Sequence, residues 1–100
     1  MEFTYEVSVI HYKKEISRFY RHTIYMKQKL KKLGADDNML AAFDVERREI
    51  FSEVRSFIME EYIRQRRPYD VHFSSTITDY KSRLDKIFKR YSEELSREVE

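Results

Sequence analysis

Along residues 36–67 the large apolar side chains fall at Leu40, Phe43, Ile50, Phe51, Val54, Phe57, Ile58 and Tyr62, mostly three or four positions apart. That is the repeat of one buried helix face, and no Gly or Pro interrupts it before Pro68. Asp36 and Asp37 stand where an N-cap carboxylate accepts the first orphan amide protons. Arg64, Arg66 and Arg67 stand in the last turn, where the helix dipole favours cations, and Pro68 cannot extend the hydrogen-bond ladder. The pattern predicts a long central helix.

A second helical stripe, Ile16, Phe19, Tyr20, Thr23, Met26, Leu30 and Leu33, runs from Tyr12 to the only glycine, Gly34, which is placed for a left-handed C-cap. The linker from Gly34 to Asp37 is so short that the two helices must fold back as an antiparallel hairpin. Ahead of it, residues 3–10 alternate, with Phe3, Tyr5, Val7 and Val9 against Thr4, Glu6 and Ser8, and are rich in β-branched and aromatic side chains, which predicts a strand. The competing reading is a helix from about residue 4, because Tyr5, Val9, Tyr12, Ile16, Phe19, Thr23, Met26, Leu30 and Leu33 keep a heptad register.

After Pro68, Tyr69, Val71 and Phe73 alternate against Asp70, His72 and Ser74. The hairpin returns the chain to its starting end, so residues 69–75 are expected to pair antiparallel with residues 3–10 as a two-stranded ribbon. A last helix is expected from Thr76, with Asp79 three residues on, and with Ile77, Tyr80, Leu84, Ile87, Phe88, Tyr91, Leu95 and Val99 as its apolar face. The expected fold is mainly α in a single domain spanning residues 1–100: a helical hairpin plus a third helix, like a three-helix bundle, with that small ribbon. Phe19, Leu30, Phe43, Ile50, Phe57, Leu84 and Phe88 should be central.

Composition narrows the function more than it names one. Fifteen per cent aromatic residues exclude the disordered class, and a single Gly and a single Pro leave room for few turns, which favours long helices. The absence of cysteine removes disulfides, thiolate nucleophiles and zinc–thiolate sites. The N-terminal segment lacks a basic leader, and no apolar run approaches the ~20 residues of a membrane span, so a soluble, cytoplasmic protein without a membrane partner is expected.

Candidate chemistry is thin. His11, Glu15, Arg18 and His22 share a helix face, but eleven residues at 1.5 Å rise separate the two histidines by roughly 16 Å, too far to share a metal ion. Asp70 and His72 would share a strand face but make only two ligands. Glu60–Glu61 and Glu93–Glu94 are adjacent and diverge by about 100° on a helix, so they do not form a facing acid–base pair. No Glu-x-x-His and no glycine-rich phosphate loop occurs, and no local signature singles out a serine. No catalytic, cofactor-binding or metal-binding residue is therefore expected, and the chain reads as a non-enzyme.

Two features remain. Residues 1–34 hold eight Lys/Arg against three Glu, a net +5, while residues 35–67 sum to −2 and residues 68–100 to −1. Lys27, Lys29, Lys31 and Lys32 close the first helix and Arg64, Arg66 and Arg67 the second, with tyrosines near both, which is a possible nucleic-acid footprint. Both clusters also sit where a helix dipole wants cations. The eight tyrosines are many for this length, and Tyr5, Tyr25 and Tyr69 fall off the main stripes, as rim residues of a protein interface do. The expected function is a small helical protein–protein interaction module, an adaptor, inhibitor or regulator that occludes a partner, in keeping with a phage or mobile-element product, with a homodimer as one form. Nucleic-acid binding through the basic clusters is the competing class.

Overall fold

A computed structural model describes residues 4–99, with side chains as far as Arg97. Among the described residues there are three long helices and no strand: α1 (Tyr5–Lys32), α2 (Asp37–Phe57) and α3 (Val71–Val99). A π-helical turn, Ile58–Ile63, prolongs α2. The molecule is a rod with principal extents of 54 × 19 × 17 Å.

The hairpin follows from its caps. Asp36 accepts the Met39 amide at 2.8 Å and starts α2. At the end of α1 the Gly34 amide donates to Lys31 and the Ala35 amide to Leu30, with Gly34 at φ +102°, the Schellman closure that reverses the chain. Lys27 then meets Asp44, Tyr20 meets Phe51 and Tyr12 meets Tyr62, so α1 and α2 run antiparallel. α3 runs antiparallel to α2, through Arg90–Glu46, Arg83–Glu53 and Phe73–Tyr62, and parallel to α1, through Lys81–Glu15 and Lys29–Phe88.

The two expected strands are the first turns of helices. Thr4 caps α1, its hydroxyl accepting the Val7 amide, and Asp70 caps α3, its Oδ1 accepting the Phe73 amide at 2.9 Å, six residues ahead of Thr76. The ribbon of residues 3–10 with 69–75 is therefore replaced by a junction of helix ends; Phe3 lies outside the described residues. Proximity of the two segments is real, since the Tyr69 amide donates to the Ser8 hydroxyl at 3.0 Å. Alternation misleads because Val7 and Val71 are largely exposed while Ser8 and Phe73 are buried.

The core is one continuous cluster in which the helical stripes meet. At the junction end Tyr12, Tyr62 and Phe73 form a ring triad with centroids 4.8–5.3 Å apart. At the hairpin end Phe43 meets Tyr91 edge-on at 5.5 Å. Phe19, Leu30, Phe43, Ile50 and Leu84 are buried as expected, whereas Phe57 and Phe88 are half-buried. The π turn keeps the core stripe in line: four-residue steps drift by about 40° on an α-helix, and the wider turn at Ile58–Ile63 lets Tyr62 still point inward.

Two buried tyrosines are tied to carboxylates. Tyr62 donates its hydroxyl to Asp70 at 2.5 Å, and Tyr91 donates to Glu46 at 2.5 Å. Burial first, then the carboxylate, raises both phenols above their ordinary value. Desolvation alone would raise Asp70 too, but the donors Tyr62, the Phe73 amide and Arg67 outweigh it and hold the carboxyl below the usual range.

α2 and its π turn end on another Schellman closure, with the Arg67 amide on Tyr62 and the Arg66 amide on Ile63. Here the left-handed position is not a glycine: Arg66 sits at φ +52°. Its side chain compensates by covering Tyr5, with the guanidinium 4.5 Å from the ring centroid, and by pairing with Glu6 at 3.3 Å.

Candidate functional site

Of the three tyrosines expected at an interface, two belong to the junction. Tyr5 is half-buried and donates its hydroxyl to the Ile63 carbonyl at 3.3 Å. Tyr69 is half-buried, edge-on to His11 at 5.3 Å, and lines a cleft of about 300 Å³ with Val7, Ser8 and His11. Tyr25 alone projects into solvent, with His22 stacked beside it at 6.3 Å.

The basic clusters expected to contact nucleic acid are largely engaged within the fold. Lys27 pairs with Asp44 at 2.7 Å, Arg64 with Glu60 at 2.8 Å, Arg66 with Glu6, and Arg67 with Asp70 at 2.6 Å. Lys29 lies over the Phe88 ring. Lys29, Lys31 and Lys32 are exposed with no ion pair among the described residues, and of these only Lys29 has a ring contact. The two clusters also stand at opposite ends of the rod, one at the Gly34 turn and one at the junction. The histidines do not converge either: His72 packs edge-on against Phe57, and Asp70 is occupied by Tyr62, Phe73 and Arg67. Among the described residues no group of three ligating side chains could hold a metal ion, and no helix is long and apolar enough to cross a membrane.

The open surface lies along the hairpin instead. Ile16 and Tyr20 of α1 and Phe51 of α2 floor a groove of about 640 Å³, with Ser17 and Arg21 on one lip and Arg55 on the other. Tyr20 and Phe51 meet edge-to-face with centroids 5.1 Å apart, so the floor is an aromatic pair in contact. The groove continues along α2 past Ser52 and Ser56 to Met59, which is 39% exposed. Arg48, exposed, stands seven residues before Arg55 and hence on the same side of α2. Neither Arg21, Arg48 nor Arg55 has a carboxylate partner among the described residues.

The groove was hidden in the sequence because Ile16, Tyr20 and Phe51 read as core. Each sits at the margin of its stripe, and a stripe wider than the one bundle seam leaves its margin outside. Comparison with protein-family models, curated proteins and solved structures finds no match for this chain.

Proposed function

We propose that this chain is a non-enzymatic binding module that docks on another protein through the α1–α2 groove and acts by covering the surface it binds. The observation that carries the reading is the aromatic pair of exposed Tyr20 and half-buried Phe51 set between unpaired Arg21 and Arg55. Aromatic anchors ringed by arginine are the composition of interface hot spots, and a preformed aromatic pair loses little freedom on binding. The partner that fits presents apolar side chains flanked by carboxylates. A two-fold homodimer at the same place would bring Arg21 and Arg55 towards their own copies, so a different, acidic partner is the better complement.

An adaptor, an inhibitor and a regulator all follow from the same contact and differ only in what is covered. The test is affinity capture from the native host with four forms of the protein. Wild type and Val71→Glu, altered at an exposed position of α3 outside the groove lining, are expected to retain the same partner; Tyr20→Glu and Phe51→Glu are expected to lose it while keeping wild-type circular dichroism. Equal capture by all four forms would refute the groove.

A further inference from the structure

The outer line of α1 carries charge that the fold does not account for and that the groove uses only at Arg21. Between Val7 and Leu33 the chain has eight Lys/Arg and one carboxylate, Glu15. Glu15 is buried against α3, 3.2 Å from Lys81, and neutralises nothing outside. Lys14, Arg18, Arg21, Tyr25, Gln28 and Lys32 follow one another at steps of four and three residues, so they form a single line along the helix, and all six are exposed. Lys13 flanks it, lining a shallow depression with Lys14, Ser17, Arg18 and Arg21. Among the described residues no carboxylate pairs with any cation of the line.

Such a line works against folding. Lys14–Arg18 and Arg18–Arg21 are like-charge neighbours one turn apart, each costing a few tenths of a kcal/mol in an isolated helix. The helix dipole explains cations only in the last turn, and Lys14, Arg18 and Arg21 stand well before it.

We propose that the Lys14–Lys32 line of α1 lies along the phosphate backbone of a nucleic acid. Eighteen residues at 1.5 Å rise span roughly 27 Å, the length of about eight base pairs. An acidic protein fits less well, because interface centres are built on apolar anchors and are poor in charge, whereas this line holds one aromatic residue among its cations. Backbone contacts position without reading sequence, so the binding is sequence-independent, with the Tyr25 ring and the Gln28 amide as the neutral contacts.

The full-length chain, titrated into a fluorescein-labelled random-sequence duplex of about 20 base pairs, tests this by anisotropy over a salt series. With Lys14, Arg18, Arg21 and Lys32 each meeting a phosphate, log K falls with log salt at a slope near about −3.6. Lys14→Ala, Arg18→Ala and Lys32→Ala each reduce the slope by about 0.9 and leave the thermal melt unchanged. Lys14→Ala and Lys32→Ala, both outside the groove lining, leave capture of the protein partner intact, which separates this surface from the protein-docking groove. No binding at about 50 mM salt, a slope unchanged when Lys14, Arg18 and Lys32 are all replaced by alanine, or displacement of the duplex by polyglutamate at equal charge concentration would each overturn the proposal.

Discussion

Asp70 holds three things together, and removing its carboxylate separates them. Oδ1 takes the Tyr62 hydroxyl at 2.5 Å and the Phe73 amide at 2.9 Å, while Oδ2 takes Arg67 at 2.6 Å. In Asp70→Ala the 29-residue α3 loses its N-cap, worth about 1 kcal/mol. The Tyr62 hydroxyl, in a fully buried residue, is left without that acceptor, costing about 1–3 kcal/mol. The Arg67 pair adds little, because both side chains are more than a third exposed. A loss of about 3 kcal/mol is expected, a large part of the ~5–15 kcal/mol typical of such a domain. Asp70→Asn keeps an acceptor oxygen and is expected to lose about 1 kcal/mol, as is Tyr62→Phe, whose missing hydroxyl leaves the carboxylate its other donors. Urea melts followed by far-UV circular dichroism measure all three, and the Asp70→Ala/Tyr62→Phe double variant completes a cycle. Strict additivity, or an alanine cost below about 0.5 kcal/mol, would mean that Asp70 does not join α3 to the end of α2.

Other outcomes follow from the same packing. Phe43→Ala empties a fully buried site against Tyr91 and is expected to cost about 3–5 kcal/mol in the same melt. The two Schellman closures respond in opposite directions. Gly34→Ala is expected to lose about 1 kcal/mol through its φ of +102° although the space around it is open, whereas Arg66→Gly relieves a strained φ and gains up to about 1 kcal/mol, less the contact with Tyr5. Stability should form a plateau in pH. Asp70, Asp44 and Glu46 are held low against desolvation by their donors, so their contribution is complete above about pH 4 and is lost on acidification through their lowered values. Tyr62, Tyr12 and Tyr91 are raised, chiefly by burial, so their contribution is complete below about pH 10 and is lost as pH rises beyond it. Melting temperatures across a buffer series check both edges.

The parts of the fold legible in the sequence were those with long periodic signals and explicit punctuation. Leu40 to Tyr62 repeats one spacing, Asp36 caps it, and Gly34 sits where the reversal needs a positive φ. The first turns of α1 and α3 were misread because a short run of Val, Phe and Tyr fits a strand and a helix equally. What decides them is tertiary: Ser8 is the residue that faces inward and receives the Tyr69 amide, and Asp70 caps a helix because Tyr62 and Arg67 hold its carboxylate in place. The heptad register from Tyr5 carried the correct alternative for α1. For the candidate surfaces, the +5 of the first third was visible, but its position was not. Lys27 and Arg66 look as available as Lys14 and Arg18 until their partners Asp44 and Glu6, distant in sequence, are brought alongside. Tyr20 and Phe51 look like core until α3 is seen to pack elsewhere.

The account turns on the α1–α2 side of the rod being its working face. Hydroxyl-radical footprinting of the protein, free and bound to the protein it captures, measures that directly. Slower oxidation of Tyr20, Phe51 and Met59 on binding, with Tyr80 and Phe88 of α3 unchanged, is the predicted result; protection confined to α3, with the three groove side chains reacting as in the free protein, would contradict it.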